Sequence, residues 1–420
     1  MTLKTDIETD SRAYLTSHPW ITFRLDVRRA PWTLWDYIGE ARSKCRHLSR
    51  TPLPPDLARR MERLYLAKGA LATTAIEGNS LSEAQAVAAV EGNLHLPQGQ
   101  RYLQRELENM IDAIASVEQE IYAGSRFDVT PERLLDLNGR ILAELELPDH
   151  VTPGALRTES VVVGGAYRGA PAEDCEYLIG SLCDWLNGPD FRDGGGSGGG
   201  GSAGDAEDFM LALLKAVVAH IYIAWIHPFG DGNGRTARLV EFGILAAAGI
   251  PSVAAHLLSN HYNATRSRYY RELDHASKSA GDLTRYLVYA IEGFVGELQQ
   301  QLDDVHGWIV EAAWANHVHA IFADARTNTA RRQRDLVLAL PAAEPVPRAN
   351  IASLTPQLAE AYAGKQAKTV TRDLNALSKL GLIERGPRGI RARREIMLSL
   401  LPRVAPGVDD DRAPSFPALD

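Results

Sequence analysis

Hydrophobic positions recur at helical spacing over most of the chain. In ENMIDAIASVEQEIYAG, Met110, Ile111, Ile114, Val117 and Ile121 fall three or four apart, which places them on one helix face. RLLDLNGRILAEL repeats the habit, and residues 82–145 read as helices. An earlier helix is predicted from about Leu57 to Ile76, after Pro52, Pro54 and Pro55. It ends in ATTAIEGNSLSEAQ, where Gly78 and Asn79 tolerate the left-handed conformation that closes helices. Ser80 and Glu83 then fit a capping box that starts the next helix. The stretch from about Ala206 to Ile226 is rich in Leu, Ala, Val and Ile and reads as a core helix, with His220 a core histidine paired to backbone. TARLVEFGILAAAG predicts a further helix, with Pro251 as its stop. DLTRYLVYAIEGFVGELQQQL predicts another, running on past Trp308 as a spacer.

Two stretches break the helical period. In ALRTESVVVGGAYRGAP, Val161, Val162 and Val163 precede Gly164 and Gly165, a pattern that predicts a hairpin from about Arg157 to Tyr167. The run Gly194 to Ser202, GGGSGGGGS, has no side chains to pack; it reads as an engineered linker or a natural glycine-rich insertion. Residues 1 to 56 are mixed, with Trp20, Trp32 and Trp35 supplying bulk, and read as a wrap on the core.

A second unit is predicted from Asn328. TARRQRDLVLAL forms a helix that stops at Pro341, Thr355–Pro356 begins a second that Gly364 ends, and Lys368 to Leu380 forms a third. The third places Val370, Leu374 and Leu377 on one face, with Lys368, Thr369, Arg372, Asn375 and Lys379 elsewhere. GLIERGPRGIRARREIML then reads as strand, Pro-Gly turn, strand. Residues 405–420 are a Pro/Asp tail with a disordered composition.

Composition narrows the classes. A chain of 420 residues predicts two or three domains. The formal net charge of −8 argues against non-specific nucleic-acid binding by the chain as a whole. From Ala361 to Val404, however, ten Lys/Arg face three Asp/Glu, so one end is basic. Cys45, Cys175 and Cys183 have no metal spacing, and an odd number without a secretion signal predicts reduced thiols in a cytoplasmic protein. MTLKTDIETD has no apolar core of a signal peptide. No run is expected to reach the ~18 apolar residues of a membrane span.

The chemistry concentrates in one run, His227 to Arg238, HPFGDGNGRTAR. Gly232 and Gly234 let the backbone turn N–H groups, with that of Asn233 between them, towards one point at the mouth of a helix, a place suited to phosphate oxygens. Arg235 and Arg238, three apart, can share a face and clamp a polyphosphate. Asp231 is the hard oxygen ligand that Mg²⁺ takes together with phosphates. His227 can accept a hydroxyl proton near pH 7. The competing reading is a helix-capping loop with solvated charges. Eight polar or glycine requirements within twelve residues weigh against it.

This run matches the signature of the Fic family, HxFx(D/E)GNGRxxR, at every fixed position, and the resemblance covers roughly residues 60–300. It implies transfer of AMP from ATP to a hydroxyl of a target protein or of the chain itself, with Mg²⁺. His227 would be the base and Asp231 the metal ligand. Gly232, Asn233 and Gly234 would cradle phosphate oxygens, Arg235 would hold the β-phosphate and Arg238 the γ-phosphate. A lysine in place of Gly234 would indicate the Doc branch, which phosphorylates. Thr73, Glu77 and Gly78 match the family's inhibitory pattern (S/T)xxxE(G/N), so Glu77 is expected to occupy Arg238. Glu77 also sits in the last turn of its helix, where a carboxylate needs a positive partner. The hairpin resembles the family's flap, which is expected to hold a target segment as an added strand. Tyr269 or Tyr270 could border the adenine, or both could be core filler. Members with an N-terminal inhibitory helix are often dimers.

The C-terminal segment resembles a winged helix-turn-helix, which implies either contact with DNA or a protein-interaction module. The predicted fold is therefore mainly α: a Fic-type helical core with a β-hairpin flap, plus a C-terminal winged helix-turn-helix. The expected layout is 1–56 wrap, 57–305 Fic domain, 306–327 helical spacer, 328–404 winged domain and 405–420 tail. A rival reading is a nucleotide-sensing, DNA-binding regulator with little transferase activity; another keeps transfer with UTP, GTP or a CDP-linked donor.

Overall fold

The computed structural model describes residues 12–163, 167–191, 204–324, 326–341 and 344–398. The N-terminal decapeptide, Gly164 and Gly165, the Gly/Ser run and the tail lie outside the described residues. The chain divides into two compact units, Met1–Gln299 and Gln300–Asp420.

The first unit is helical. Its elements are α1 (Tyr14–Ser17), α2 (Trp32–Arg50), α3 (Pro55–Ile76), α4 (Glu83–Val90), α5 (Arg101–Tyr122) and α6 (Pro131–Ile141), then strands β1 (Val162–Val163) and β2 (Tyr167–Arg168). After these come α7 (Cys175–Leu186), α8 (Gly204–Ile226), α9 (Asn233–Ala247), α10 (Ser252–Ala255), α11 (Leu257–Ala264), α12 (Arg266–Lys278) and the start of α13 (Thr284–Ile321). The core lies around α8 and α9. Leu213, Val217, Ile221, Trp225 and Ile226 of α8 are buried, as are Leu239, Val240 and Leu245 of α9. Among the described residues α8 alone has the length and hydropathy of a membrane span, over Ala206–Ile226. The expectation that no run would reach that length is corrected; 67% of that apolar window is buried within the protein.

Gly69 of α3 stands where any Cβ would strike the ring of His256, which stacks on Phe242 of α9 at 4.4 Å. α3 can therefore approach this part of the core only with a glycine there. The C-terminus of α3 closes in a Schellman motif: Gly78 N donates to Ala75 O (3.0 Å), Asn79 N to Thr74 O (3.2 Å), and Gly78 has φ +112. The capping box that follows is Ser82 with Gln85, not Ser80 with Glu83. Asn79 Oδ1 accepts from Leu81 N (3.1 Å), which uses residues 79–81 for the turn and moves the cap two positions on.

The N-terminal segment makes contacts with residues 168 and 174. Tyr14 N donates to Asp174 Oδ2 (2.7 Å), and His18 Nε2 lies 2.9 Å from Arg168 O. Two of its tryptophans do not supply core bulk, since Trp32 is 73% and Trp35 37% exposed. The helix after the signature ends at Gly249, which has φ +80, and Pro251 instead starts α10. All three cysteines are buried and free, and burial pushes Cys45 and Cys183 up to about 12.

The second unit contains the rest of α13, then α14 (Asn328–Ala339), α15 (Pro356–Tyr362), α16 (Ala367–Lys379), an antiparallel pair β3 (Ile383–Gly386) and β4 (Gly389–Ala392), and α17 (Glu395–Leu398). Leu336, Ile351, Leu358, Leu374, Leu377 and Ile390 are among its buried core residues. A buried ion pair, Arg332 Nε to Asp373 Oδ2 (2.7 Å), also takes the hydroxyl of Tyr362 (3.0 Å) and joins α14, α15 and α16.

Candidate functional site

The loop between α8 and α9 is held from several sides. His227 follows the last residue of α8 with φ +51, a left-handed conformation that a non-glycine residue adopts only under constraint. Arg157 supplies much of that constraint. It donates from Nε to His227 O (2.7 Å) and from Nη1 to Glu159 O (2.6 Å), while Nη2 reaches the carbonyls of Ala170 and Ile226. Its backbone N donates to Pro228 O (2.9 Å), and Leu156 bridges to Phe229. The base of the hairpin is thus pinned to the loop. β1 pairs with β2 as Val162 with Arg168 and Val163 with Tyr167, a register within and just beyond the predicted 157–167.

Asn233 makes a closed ring with Phe229: its Oδ1 accepts from Phe229 N (2.9 Å) and its Nδ2 donates to Phe229 O (2.8 Å). The side chain is therefore spent on the loop, and only its backbone N–H remains for a ligand. Asn138 of α6 reaches in behind, donating from Nδ2 to Asp231 O (3.0 Å) and accepting Gly154 N at Oδ1 (3.0 Å). Gly232, with φ +77, is the N-cap of α9; a Cβ there would also crowd Asn138. The first N–H groups of α9, from Asn233, Gly234 and Arg235, lack intrahelical acceptors by helix geometry.

The charged groups are paired. Arg238 is 2% exposed and donates from Nη2 to Glu77 Oε1 (2.5 Å) and Thr73 O (3.0 Å). Arg235 is 4% exposed and donates from Nη1 to Glu106 Oε1 (2.6 Å) and from Nη2 to Asp231 Oδ1 (3.0 Å). Among the described residues, the Nε atoms of both arginines are buried without a partner. An orphaned guanidinium N–H in each of two neighbouring arginines is what an anion site leaves behind. A Cβ on Gly234 would land on Glu77 Oε1, so the glycine gives the carboxylate its place.

Burial alone would raise the Glu77 carboxyl; the charge and hydrogen bond of Arg238, then Arg235 and His227, bring it below its ordinary value. Burial raises Glu106, against the pull of Arg235. Burial and the nearby Arg157 push the His227 imidazole down to about 4, so it is neutral and able to accept a proton at pH 7.

Asp231 keeps its side chain 44% exposed, and both bonds it accepts, from Gly232 N and Arg235 Nη2, fall on Oδ1. Among the described residues no group of three or more His, Cys, Asp or Glu side chains could hold a metal. The donor set therefore fits a Mg²⁺ that takes one carboxylate and fills its shell with phosphate and water, and does not fit an all-protein cage.

The paired tyrosines divide. Tyr269 is 3% exposed, its hydroxyl 2.9 Å from His220 Nε2 and its ring stacked on Tyr262. Tyr270 is 43% exposed, its ring centroid 5.1 Å from that of Tyr269. His220 is fully buried and pairs with Tyr269 and Glu241 (3.2 Å), side chains rather than backbone. Glu106, Asn138 and Arg157 were not singled out from sequence. Each has a partner in the loop or helix of the site that lies 69 or more positions away, Glu106 at 129, Asn138 at 93 and Arg157 at 70 and 69; Asn79, in the turn after Glu77, was the one nearby signal.

The site is thus a helical bundle in which a glycine-bent turn opens a buried helix, flanked by a buried imidazole and two buried arginines. The sequence profile described as Fic/DOC family matches residues 128–245, which hold this turn, and the chain carries a Fic domain with homology to Fic protein adenylyltransferases. The protein adenylyltransferase fic-1 of Caenorhabditis briggsae is 27% identical over 265 residues, covering 63% of this chain and 46% of its own length. The protein adenylyltransferase Fic of Nematostella vectensis is 26% identical over 264 residues, covering 62% and 54%. The chain thus spans about half the length of these curated relatives. A crystal structure of a Fic family protein from Desulfovibrio desulfuricans superposes with a TM-score of 0.51 at 20% identity, over 86% of this chain and 95% of that one. Fic-1 from Caenorhabditis elegans does so with 0.50 at 23%, over 64% and 72%. These two likenesses establish the fold.

Proposed function

We propose that the chain transfers AMP from ATP to a Ser, Thr or Tyr hydroxyl of a target protein, or of itself, and that Glu77 restrains the reaction. The observation that carries this reading is the convergence of the His227 imidazole, the Gly232–Gly234 turn and the two arginines around one point. His227 takes the proton of the incoming hydroxyl. The hydroxyl oxygen bonds to the α-phosphorus, and the bond from that phosphorus to the bridging oxygen breaks, releasing pyrophosphate. The N–H groups at the start of α9 receive phosphate oxygens, Arg235 the β-phosphate and Arg238 the γ-phosphate. Asp231 would hold Mg²⁺, which when bound supplies neutralisation of the charge that collects on the leaving group. Tyr270 offers the more exposed aromatic ring for adenine. The outer edge of β1 offers a place for a target segment to add as a strand.

Restraint follows from competition for Arg238. While Glu77 holds Nη2, the γ-phosphate has no cation to receive it, and ATP rests in an unproductive pose. The test is incubation of the full-length Glu77→Gly protein with α-labelled ATP and a lysate. Labelled bands that vanish on adding His227→Ala support the reading; persistent labelling removes the base assignment. Labelling with UTP, GTP or a CDP-linked compound and not with ATP would reassign the donor.

A second activity, duplex DNA binding by the second unit as a winged helix-turn-helix, is favoured by its charges. Lys365, Lys368, Arg372, Lys379, Arg385 and Arg388 are exposed and form no ion pair among the described residues. The neighbouring acids are engaged elsewhere, Asp373 with Arg332 and Glu384 with Arg391. Binding of the full chain to duplex DNA should weaken with salt, log K falling by about 0.9 per phosphate contacted for each unit of log[salt]. A salt-independent or absent interaction removes this activity and leaves the first untouched.

A further inference from the structure

One helix corner reaches both arginines of the loop. Glu77 takes Arg238 directly. Two residues on, Asn79 Nδ2 donates to Glu106 Oε2 (3.0 Å), and the other oxygen of that carboxylate takes Arg235 Nη1 (2.6 Å). Asn79, Glu106 and Arg235 are 5%, 6% and 4% exposed. A glutamate so buried is rare without partners, and this one commits both oxygens. Asn79 is fixed in turn, since its Nδ2 also donates to Leu103 O (3.0 Å) and its Oδ1 accepts from Leu81 N.

We infer that Glu106 is a positioning residue for the β-phosphate contact of Arg235, and that through Asn79 it ties this arginine to the corner that carries Glu77. The inference rests on the nucleotide reading above and deepens it. Glu106 grips the guanidinium by Nη1. Nη2 then lies against Asp231, and Nε has no partner among the described residues. Without Glu106, the guanidinium is free to close on Asp231 as a two-bonded pair, the geometry a fork and a carboxylate prefer. That would draw Arg235 off its place and engage the carboxylate assigned to Mg²⁺. Glutamine at 106 keeps an acceptor for Nη1 but sets its amide N–H against the Asn79 amide, so it preserves the grip and loosens the corner.

The test is titration of the full-length Glu77→Gly protein, and of its Glu106→Ala and Glu106→Gln derivatives, with AMP and ADP. The parent should prefer ADP by about tenfold or more, the worth of a charge-assisted bond to the β-phosphate. Glu106→Ala should reduce that preference to less than about threefold while AMP affinity stays within about twofold, a split that loss of one phosphate contact predicts. Glu106→Gln should retain most of the preference. The inference is overturned if Glu106→Ala keeps the parent's preference, or if AMP and ADP weaken by the same factor, which is a purely structural role. A parent that binds both nucleotides without preference overturns it too. A parent that binds neither removes the nucleotide reading itself, and the inference with it.

Discussion

Glu77 Oε1 lies 2.5 Å from Arg238 Nη2 and joins the C-cap of α3 to α9. The two sides of the pair differ: the Arg238 side chain is 1% exposed, that of Glu77 34%. A carboxylate at a helix C-terminus is disfavoured by the helix dipole, so the arginine accounts for its being there. Replacing Glu77 with glycine leaves Arg238 with the Thr73 carbonyl alone. The expected cost is about 1–2 kcal/mol of stability, toward the low end for a buried charge because one partner is partly solvated. ATP at a hundred times its dissociation constant should then stabilise the mutant by about 2.7 kcal/mol, and stabilise the wild type by less at the same concentration. Transfer should rise by about tenfold or more if the pair is worth about 1.4 kcal/mol against the γ-phosphate. Thermal melts with and without ATP, beside labelling rates, check both parts. Equal behaviour of the two proteins would reduce Glu77 to a helix end.

Gly234 gives a second route to the same contact. A methyl at this position would land on Glu77 Oε1 and stand 3.0 Å from Arg238 Nη1. Gly234→Ala should therefore destabilise the wild type by displacing the carboxylate. With Glu77→Gly already present, most of that collision is gone. The two substitutions should be non-additive, with a coupling of about 1 kcal/mol in a double-mutant cycle. Strict additivity would mean that the close approach of Glu77 to Gly234 does not exist in solution.

Acid should act through the buried histidines. Burial holds His227 and His261 down to about 4 and His256 to about 3, against an ordinary 6.5. Between those values and 6.5 the unfolded chain binds more protons than the folded one. Stability therefore rises with pH across that window and falls on acidification from about 6.5 towards 4, by an amount on the order of a few kcal/mol. Above 6.5 these groups contribute no slope. The same depression fixes the catalytic limb. In the Glu77→Gly protein, kcat/KM should stay level from pH 8 to below 6, because His227 is already neutral there. Urea unfolding at stepped pH tests the first statement and initial labelling rates the second. An acidic limb at 6.5 would show an imidazole that is solvated rather than buried.

The parts of the site that lie next to one another in the chain were legible in the sequence. The run from His227 to Arg238 carries its own spacing, and Glu77 stood out because a carboxylate at a helix C-terminus needs a reason. The helical fold followed from periodicity, and the hairpin from three valines beside two glycines. Apart from Glu77, whose pairing with Arg238 came from the family pattern, residues that act across the fold were not legible. Glu106 meets Arg235 across 129 positions of sequence, and in RELENM it looks like any solvated glutamate. Asn138 and Arg157 serve backbone carbonyls and N–H groups, which leave no trace in composition. The capping box fell two residues late because the Asn79 side chain used the intervening turn. Tyr269 and Tyr270 are adjacent on α12 and so point about 100° apart by helix geometry. Which of the two the core takes up, Tyr269, is fixed by packing that the sequence does not show.

Arg157 ties the hairpin to the loop that carries His227 without any carboxylate. Its guanidinium donates to the carbonyls of His227, Glu159, Ala170 and Ile226, and the residue is 5% exposed. Carbonyls solvate a buried cation only when several converge, and a planar fork can meet four of them where an ammonium cannot. Burial accordingly lowers the basicity of this arginine. Gly169, where a Cβ would stand 2.9 Å from His227 Cβ and 3.0 Å from Arg157 Nη2, shows how tightly the hairpin end is drawn in. Arg157→Lys keeps the charge and loses the fork, so at least two carbonyls go unpaired. The expected loss is about 2–3 kcal/mol of stability, at about 1–3 kcal/mol for each buried group left without a partner and some relaxation. The left-handed conformation of His227 depends on the same contacts. Transfer should therefore fall by more than about tenfold even at temperatures where the mutant remains folded, since a base displaced by an ångström can cost about a hundredfold. Circular dichroism melts beside labelling at a temperature well below the midpoint separate the two effects. A folded Arg157→Lys protein with undiminished transfer would show that the loop holds His227 in place without the hairpin.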